Sequence, residues 1–189
     1  VRCEMSKRED ILVATLDLIT EEGLQSVTFS KIFKRANVGS STFYNYYKSK
    51  EELVSELFMN TRTHMGEEVM IGYDPSLTVY ERIKGILKST ADYALNYPKE
   101  LSFIENHCQS PYISEELRNK LDPSAIEIFS IIEQGQKQGI IREMDIILCC
   151  QLVTGMINSV INGYLAGKYS LDEYQIQQTL EACWKAIKV

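Results

Sequence analysis

The sequence predicts an all-α chain in two parts: an N-terminal three-helix helix-turn-helix domain over residues 1–49 and a larger C-terminal helical domain over residues 50–189. Apolar residues recur at spacings of three and four nearly from end to end, and alternating runs are almost absent. That is the pattern of amphipathic helices, not of strands. Helix start and stop signals punctuate it at regular intervals. Charge is unevenly divided: residues 1–50 carry eight Lys/Arg against six Asp/Glu, residues 51–189 twelve against twenty, within a net charge of −6.

Ser6 and Glu9 form a capping-box pair that opens a first helix through Ile11, Leu12, Thr15, Leu16, Leu18 and Ile19, and Gly23 closes it. Thr28 is placed to cap a short second helix, Phe29 to Arg35. Asn37 falls where the following turn needs a left-handed backbone, which Asn tolerates better than most residues. Val38 anchors that turn, and a third helix is expected from Ser40 to Tyr47, with Phe43 and Tyr47 facing inward. Ser49 and Glu52 make a second capping box for a fourth helix running through Leu53, Leu57 and Phe58 toward Val69, expected as the only mechanical link between the two domains. Asp74-Pro75 interrupts the pattern, after which helices are expected at 77–97, 99–109, 113–121, 124–138, 144–167 and 172–187.

A composition of 44% apolar and 24% charged residues over 189 positions is that of a soluble globular protein. Five cysteines, an odd number with no CxxC pair and no histidine at zinc spacing, indicate neither a disulfide framework nor a metal site. Together with the lack of an export-signal pattern they predict a reducing cytoplasm. Residues 146–167 run without a charge for about the length of a membrane span. Gln151, Thr154, Asn158, Ser159 and Asn162 line one side of that helix, and the small residues Gly155, Ser159 and Gly163 allow close approach. A helix packed on another protein helix, and no membrane partner, is therefore expected.

Between Gln25 and Lys50 stand five cations, Lys31, Lys34, Arg35, Lys48 and Lys50, and no acid. A local reversal of sign in an acidic chain marks a surface for a polyanion. It coincides with helix, tight turn, helix, and the second of these helices presents Ser40, Ser41, Thr42, Tyr44, Asn45 and Tyr46, polar and aromatic groups able to meet phosphates and base edges. Asn45 is the best candidate for a base edge, because its amide both donates and accepts.

The residues from Ile11 to Leu53 resemble the tetracycline-repressor (TetR) family of bacterial transcription regulators, on Thr28-Phe29-Ser30-Lys31-Ile32, Ala36-Asn37-Val38 and Thr42-Phe43-Tyr44-Asn45-Tyr46-Tyr47-Lys48-Ser49-Lys50-Glu51-Glu52-Leu53. A looser echo follows in Gly135 to Glu143 and the long helix containing Gly155. The resemblance implies a homodimer on a double-stranded DNA operator, paired through helices near 144–167 and 172–187, with a C-terminal domain that binds a small-molecule effector. It assigns phosphate contacts to Thr28, Thr42, Tyr44 and Lys50, and places Ser40, Ser41, Asn45 and Tyr46 along the major groove; Lys48 joins them as a neighbouring cation.

The chain departs from the family pattern at Asn37, in place of the usual turn Gly, at Gly39, in place of the usual cap, at Ser41, where Gly is common, and at Phe33, in place of a small residue. Capping of the recognition helix is then expected from Ser40. Tyr80, Tyr93, Tyr97, Phe103, His107 and Phe129 lie in the segments where the family has its effector cavity, and their rings suit an apolar or aromatic molecule. His64 and His107 stand far apart, and there is no nucleophile elbow, phosphate-cradling glycine loop or ligand cluster, so neither an enzyme nor a cofactor is expected. The alternatives to a ligand-responsive repressor are a DNA-binding regulator without effector, or one switched by oxidation of Cys108 or the Cys149-Cys150 pair.

Overall fold

The computed structural model describes residues 6–189, so Cys3 lies outside the described residues. They form ten α-helices: α1 (Lys7–Glu22), α2 (Phe29–Ala36), α3 (Ser40–Tyr44), α4 (Lys50–Val69), α5 (Val79–Asn96), α6 (Pro98–His107), α7 (Glu115–Asn119), α8 (Pro123–Lys137), α9 (Ile146–Leu165) and α10 (Glu173–Ile187). A 3-10 turn, Leu24–Ser26, and a single antiparallel bridge between Ile141 and Lys188 were not anticipated.

Local chemistry sets most of the boundaries. Ser6 and Glu9 make a reciprocal capping box, and so do Thr78 with Glu81 at α5 and Asp172 with Gln175 at α10. Gly23 ends α1 at φ 80°, and Asn37 ends α2 in the left-handed region at φ 52°, ψ 50°. Two expectations fail. The cap residue of α3 is Gly39, which offers no side-chain acceptor, and Ser40 is already the first helical residue. The helix is also shorter than predicted, because Tyr46 N–H turns to Phe43 O at 2.9 Å and winds the chain out of the helix.

The chain divides into two compact units. The first comprises residues up to Thr63 together with Pro98–Lys120, and so extends beyond the expected boundary at residue 49. Its core joins Ile11, Leu18, Ile32, Phe43, Tyr47, Leu53 and Phe58 to Phe103 and Ile113, all nearly or fully buried. Four rivets hold the later segment to α4: Ser55 Oγ donates to Tyr112 O at 2.9 Å, Arg62 donates to Leu117 O and Arg118 O, and the Lys50 ammonium lies over the Tyr112 ring at 5.1 Å. The chain therefore passes between the units after Thr63, Tyr97 and Lys120, and α4 is not the sole link.

The second unit holds His64–Tyr97 and Leu121–Val189. Ile83, Leu87, Tyr93, Ile131, Ile141, Cys149, Ile157, Ile161, Cys183 and Ile187 are buried in it. In α9, Cys149, Val153, Ile157 and Ile161 form the inward stripe, whereas Ile147, Leu148, Gln151, Leu152, Gly155, Ser159 and Asn162 remain exposed. Facing outward on α10 are Tyr174, Gln178 and Ala182, and the two helices flank an open groove of about 800 Å³ lined by Gln151, Leu152, Gly155, Met156, Gln178 and Ala182 among others. Among the described residues α9 is the one helix long and apolar enough to cross a membrane by length and composition.

Candidate nucleic-acid interface

Helix α2, the turn Asn37–Gly39 and α3 form the helix-turn-helix, entirely within the first unit. On α2, Ile32 and Ala36 are buried, Phe29 and Phe33 half-buried, and Ser30, Lys31, Lys34 and Arg35 exposed. On and just after α3, Phe43 and Tyr47 are buried while Ser40, Ser41, Tyr44, Asn45, Tyr46 and Lys48 are exposed and Thr42 is half-buried. Tyr44 and Tyr46 are large rings left 49% and 45% exposed. A surface aromatic that a core would ordinarily absorb is here held out to solvent beside an amide.

Beneath the Tyr44 ring lies a cluster of buried and half-buried aromatics. Phe29 and Phe33, one turn apart on α2, lie nearly parallel with centroids 6.4 Å apart. Phe43 packs 5.0 Å from each, and Tyr44 meets Phe29, Phe33 and Phe43 edge to face at 6.1, 6.2 and 5.6 Å. Tyr47 is fixed from below, its hydroxyl donating to Glu56 at 2.9 Å while Arg8 donates to the same carboxylate at 2.6 Å. Burial, with the Glu56 carboxylate beside it, raises the Tyr47 phenol to about 12, so it stays protonated.

The cationic face is smaller than the count of five. Glu21 and Glu22, at the end of α1, precede the acid-free stretch but fold onto it: Arg35 makes a two-pronged pair with Glu21 at 3.0 and 2.7 Å, and Lys31 pairs with Glu22 at 2.5 Å. The pairing holds the Glu21 carboxyl below and the Arg35 guanidinium above its usual range. Lys50 departs furthest from expectation. Its ammonium donates to Leu24 O at 2.7 Å and Val27 O at 2.9 Å, and burial lowers its pKa. With two carbonyl partners and a ring beneath it, the ammonium expected at a phosphate ties the start of α4 to the segment before α2. Lys34 and Lys48 are exposed with no carboxylate partner among the described residues. Lys34, one of the five cations of the acid-free stretch, joins the candidate contacts through its place on the outer face of α2.

Thr28 is exposed and its Oγ1 accepts Lys31 N–H at 3.4 Å, as an N-cap does. Its hydroxyl proton remains available to an anion. Thr28, Ser40, Ser41, Thr42, Tyr44, Asn45, Tyr46 and Lys48 thus lie on or beside one helix-turn-helix, and the Lys50 ammonium is the one bonded to two backbone carbonyls.

Of the six candidate effector residues, Phe103 and His107 fall in the first unit and Tyr80, Tyr93, Tyr97 and Phe129 in the second. Phe103 is 1% exposed in the core of the first unit, with the half-buried His107 ring 5.8 Å away; burial lowers the His107 pKa. His107 borders a groove of about 420 Å³ shared with Gln25, Ser26, Asn106 and Ser110. Tyr80 stands on Trp184 at 4.9 Å, and Phe129 is half-buried on α8. Only Tyr93 and Tyr97 come together, 5.3 Å apart, joined by His64 at 6.1 and 4.6 Å. Tyr93 and Phe103 are buried, Tyr97, His107 and Phe129 half-buried and Tyr80 exposed, a division that the helical period alone does not give. A smaller cavity of about 50 Å³ lies against Tyr73, Leu77, Glu81, Arg82 and Ile86; the buried Arg82 donates to Tyr73 Oη and Gln134 Oε1.

Three of the described cysteines lie in the second unit, Cys149 and Cys183 buried and Cys150 half-buried. Burial raises Cys149, and pushes Cys150 and Cys183 up to about 11, which keeps them as thiols at neutral pH.

Residues 11–57 match the family model described as bacterial regulatory proteins, tetR family, and residues 58–189 match the tetracyclin repressor-like C-terminal domain. The HTH-type transcriptional regulator YhgD of Bacillus subtilis (strain 168) is 27% identical over 143 residues, 75% of each chain. The fatty acid metabolism regulator protein of the same organism is 23% identical over 88% of this chain and 87% of its own. A TetR family transcription regulator from Marinobacter aquaeolei VT8 has the same fold, with a TM-score of 0.89 at 20% identity over 96% of this chain and 95% of that one. With both halves matched and an exposed recognition helix on an aromatic base, the chain belongs to the tetR family of bacterial regulatory proteins, and is a DNA-binding transcription regulator and not an enzyme.

Proposed function

We propose that the chain is a repressor that leaves its operator when a small molecule binds its C-terminal domain. The observation that carries the DNA half is the exposure of Tyr44, Asn45 and Tyr46 on α3 and its exit, beside Thr28 and the exposed Lys34 and Lys48. In this reading Thr28, Thr42 and Tyr44 hold phosphates, Lys48 adds charge, and Ser40, Ser41, Asn45 and Tyr46 run along the major groove.

A second copy of the chain covers the outer faces of α9 and α10. Ile147, Leu148 and Leu152 are 60%, 51% and 41% exposed there, and Gly155, Ser159 and Ala182 let helices approach closely. Two recognition helices then enter successive major grooves about 34–36 Å apart, and the operator is a near-palindrome. The cytoplasm is where such a protein meets its DNA.

An effector that favours one arrangement of the dimer by about 1–3 kcal/mol changes DNA affinity about 5–150-fold. An apolar effector suits the aromatic composition of the second unit, and a relative bears the name of a fatty acid metabolism regulator. Long-chain fatty acids are the first probes: release of bound DNA supports this class, and no release up to their solubility limit removes it. For the DNA half, the native chain is used to select duplexes from a random-sequence library. Recovery of a near-palindrome, with discrimination lost in Asn45→Ala, is the expected result. Selection of no sequence would overturn the operator reading.

A further inference from the structure

We infer that Phe33 is a positioning residue for DNA binding: its ring holds the exposed Tyr44 ring in the orientation from which the phenol reaches the duplex. The inference rests on the reading of Tyr44 as a DNA contact. Tyr44 is the last residue of a five-residue helix whose cap, Gly39, supplies no side chain. A helix that short has little stability of its own. Beyond it Phe43 O accepts both Tyr46 N–H at 2.9 Å and Tyr47 N–H at 3.0 Å and the helix stops, so Tyr44 stands at the end of a very short backbone support. A ring 49% exposed at such a place would ordinarily sample several rotamers, and fixing one on DNA would cost affinity.

The side chains supply what the helix lacks. Phe33 meets Tyr44 at 6.2 Å with the planes 73° apart, Phe29 at 6.1 Å and 80°, and Phe43 at 5.6 Å and 89°. All three are edge-to-face contacts, the arrangement favoured by the ring quadrupoles. Phe43 is fully buried and Phe29 begins α2, so both have duties in the fold itself. Phe33, half-buried on α2 like Phe29, contacts both Phe43 and Tyr44, and so joins the core to the exposed ring one turn beyond the start of the helix. A small side chain at this position would leave Tyr44 with two of its three ring partners.

The test is a double-mutant cycle on affinity for the duplex that the native chain selects. Phe33→Ala weakens binding about tenfold, the size of one aromatic pair. In a Tyr44→Ala background the same change has an effect within about twofold, because no ring remains to be held. Phe33→Tyr, which keeps the ring, binds as the native chain does, and Phe33→Leu, which keeps volume without it, repeats the loss and carries the cycle if the alanine variant does not fold. Equal losses in both backgrounds would overturn the inference while leaving the interface reading intact. A Tyr44→Ala chain that binds like the native one would overturn the interface reading and this inference with it.

Discussion

The Lys50 ammonium donates to the carbonyl of Val27 at 2.9 Å, tying the first turn of α4 to the residue that precedes the cap of α2. Its second bond, to Leu24 O at 2.7 Å, closes the 3-10 turn onto the same point. Lys50→Met is expected to destabilise the fold by about 1–3 kcal/mol, as loss of charge-assisted bonds to half-buried carbonyls does. It should leave the salt dependence of DNA binding nearly unchanged. Lys48→Ala is expected to do the reverse, with little change in melting temperature and a salt slope reduced by about one. Denaturant unfolding and salt-titrated DNA binding of the two variants separate these roles; a reduced slope in Lys50→Met would return that residue to the interface.

Asn37 bears the strain of the turn. At φ 52° and ψ 50° it holds the left-handed conformation, where a Cβ-bearing residue without a polar side chain is disfavoured. Asn37→Ala should cost about 1 kcal/mol and Asn37→Gly should be neutral or stabilising. Urea midpoints decide this, and equal midpoints for the alanine and glycine variants would contradict it.

The outer face of α9 is the proposed meeting place of two copies. Leu152→Glu places a charge at the centre of the groove, next to Gly155 and Met156. The variant should sediment as a monomer at concentrations where the native chain is a dimer, keep its helical content, and lose operator affinity by at least about a hundredfold, since one half-site remains. A variant that still sediments as a dimer would place the interface elsewhere.

Cys150 and Cys183 are raised from an ordinary 9.0 to about 11 by burial. A group whose folded pKa exceeds its unfolded one contributes stability that is fully present below the unfolded value and lost as pH rises through the folded one. Native chain should therefore lose more stability between about pH 9 and pH 11 than the Cys150→Ala/Cys183→Ala variant. The same burial predicts that alkylation at neutral pH spares Cys149, Cys150 and Cys183 until denaturant is added. Peptide mapping of the labelled protein reads this directly; rapid labelling of the native fold would reopen a redox role.

Local rules carried the sequence reading a long way. Ser6 with Glu9, Thr28, Gly23 and Asn37 mark the ends of α1 and α2 because capping and left-handed turns are decided within a few residues. Periodicity placed the all-α architecture, the helix-turn-helix and an outward face bearing Tyr44, Asn45 and Tyr46, since a helix's own repeat assigns inside and outside. What the tertiary structure alone decided are the pairings between distant segments. Glu21 and Glu22 neutralise Arg35 and Lys31, Lys50 turns to Leu24 and Val27, and Phe103 and Ile113 enter the core of the first unit. The length of α3 went the same way. A carboxylate's choice of partner and a ring's choice of neighbour depend on where packing brings other helices, and no spacing along one helix records it.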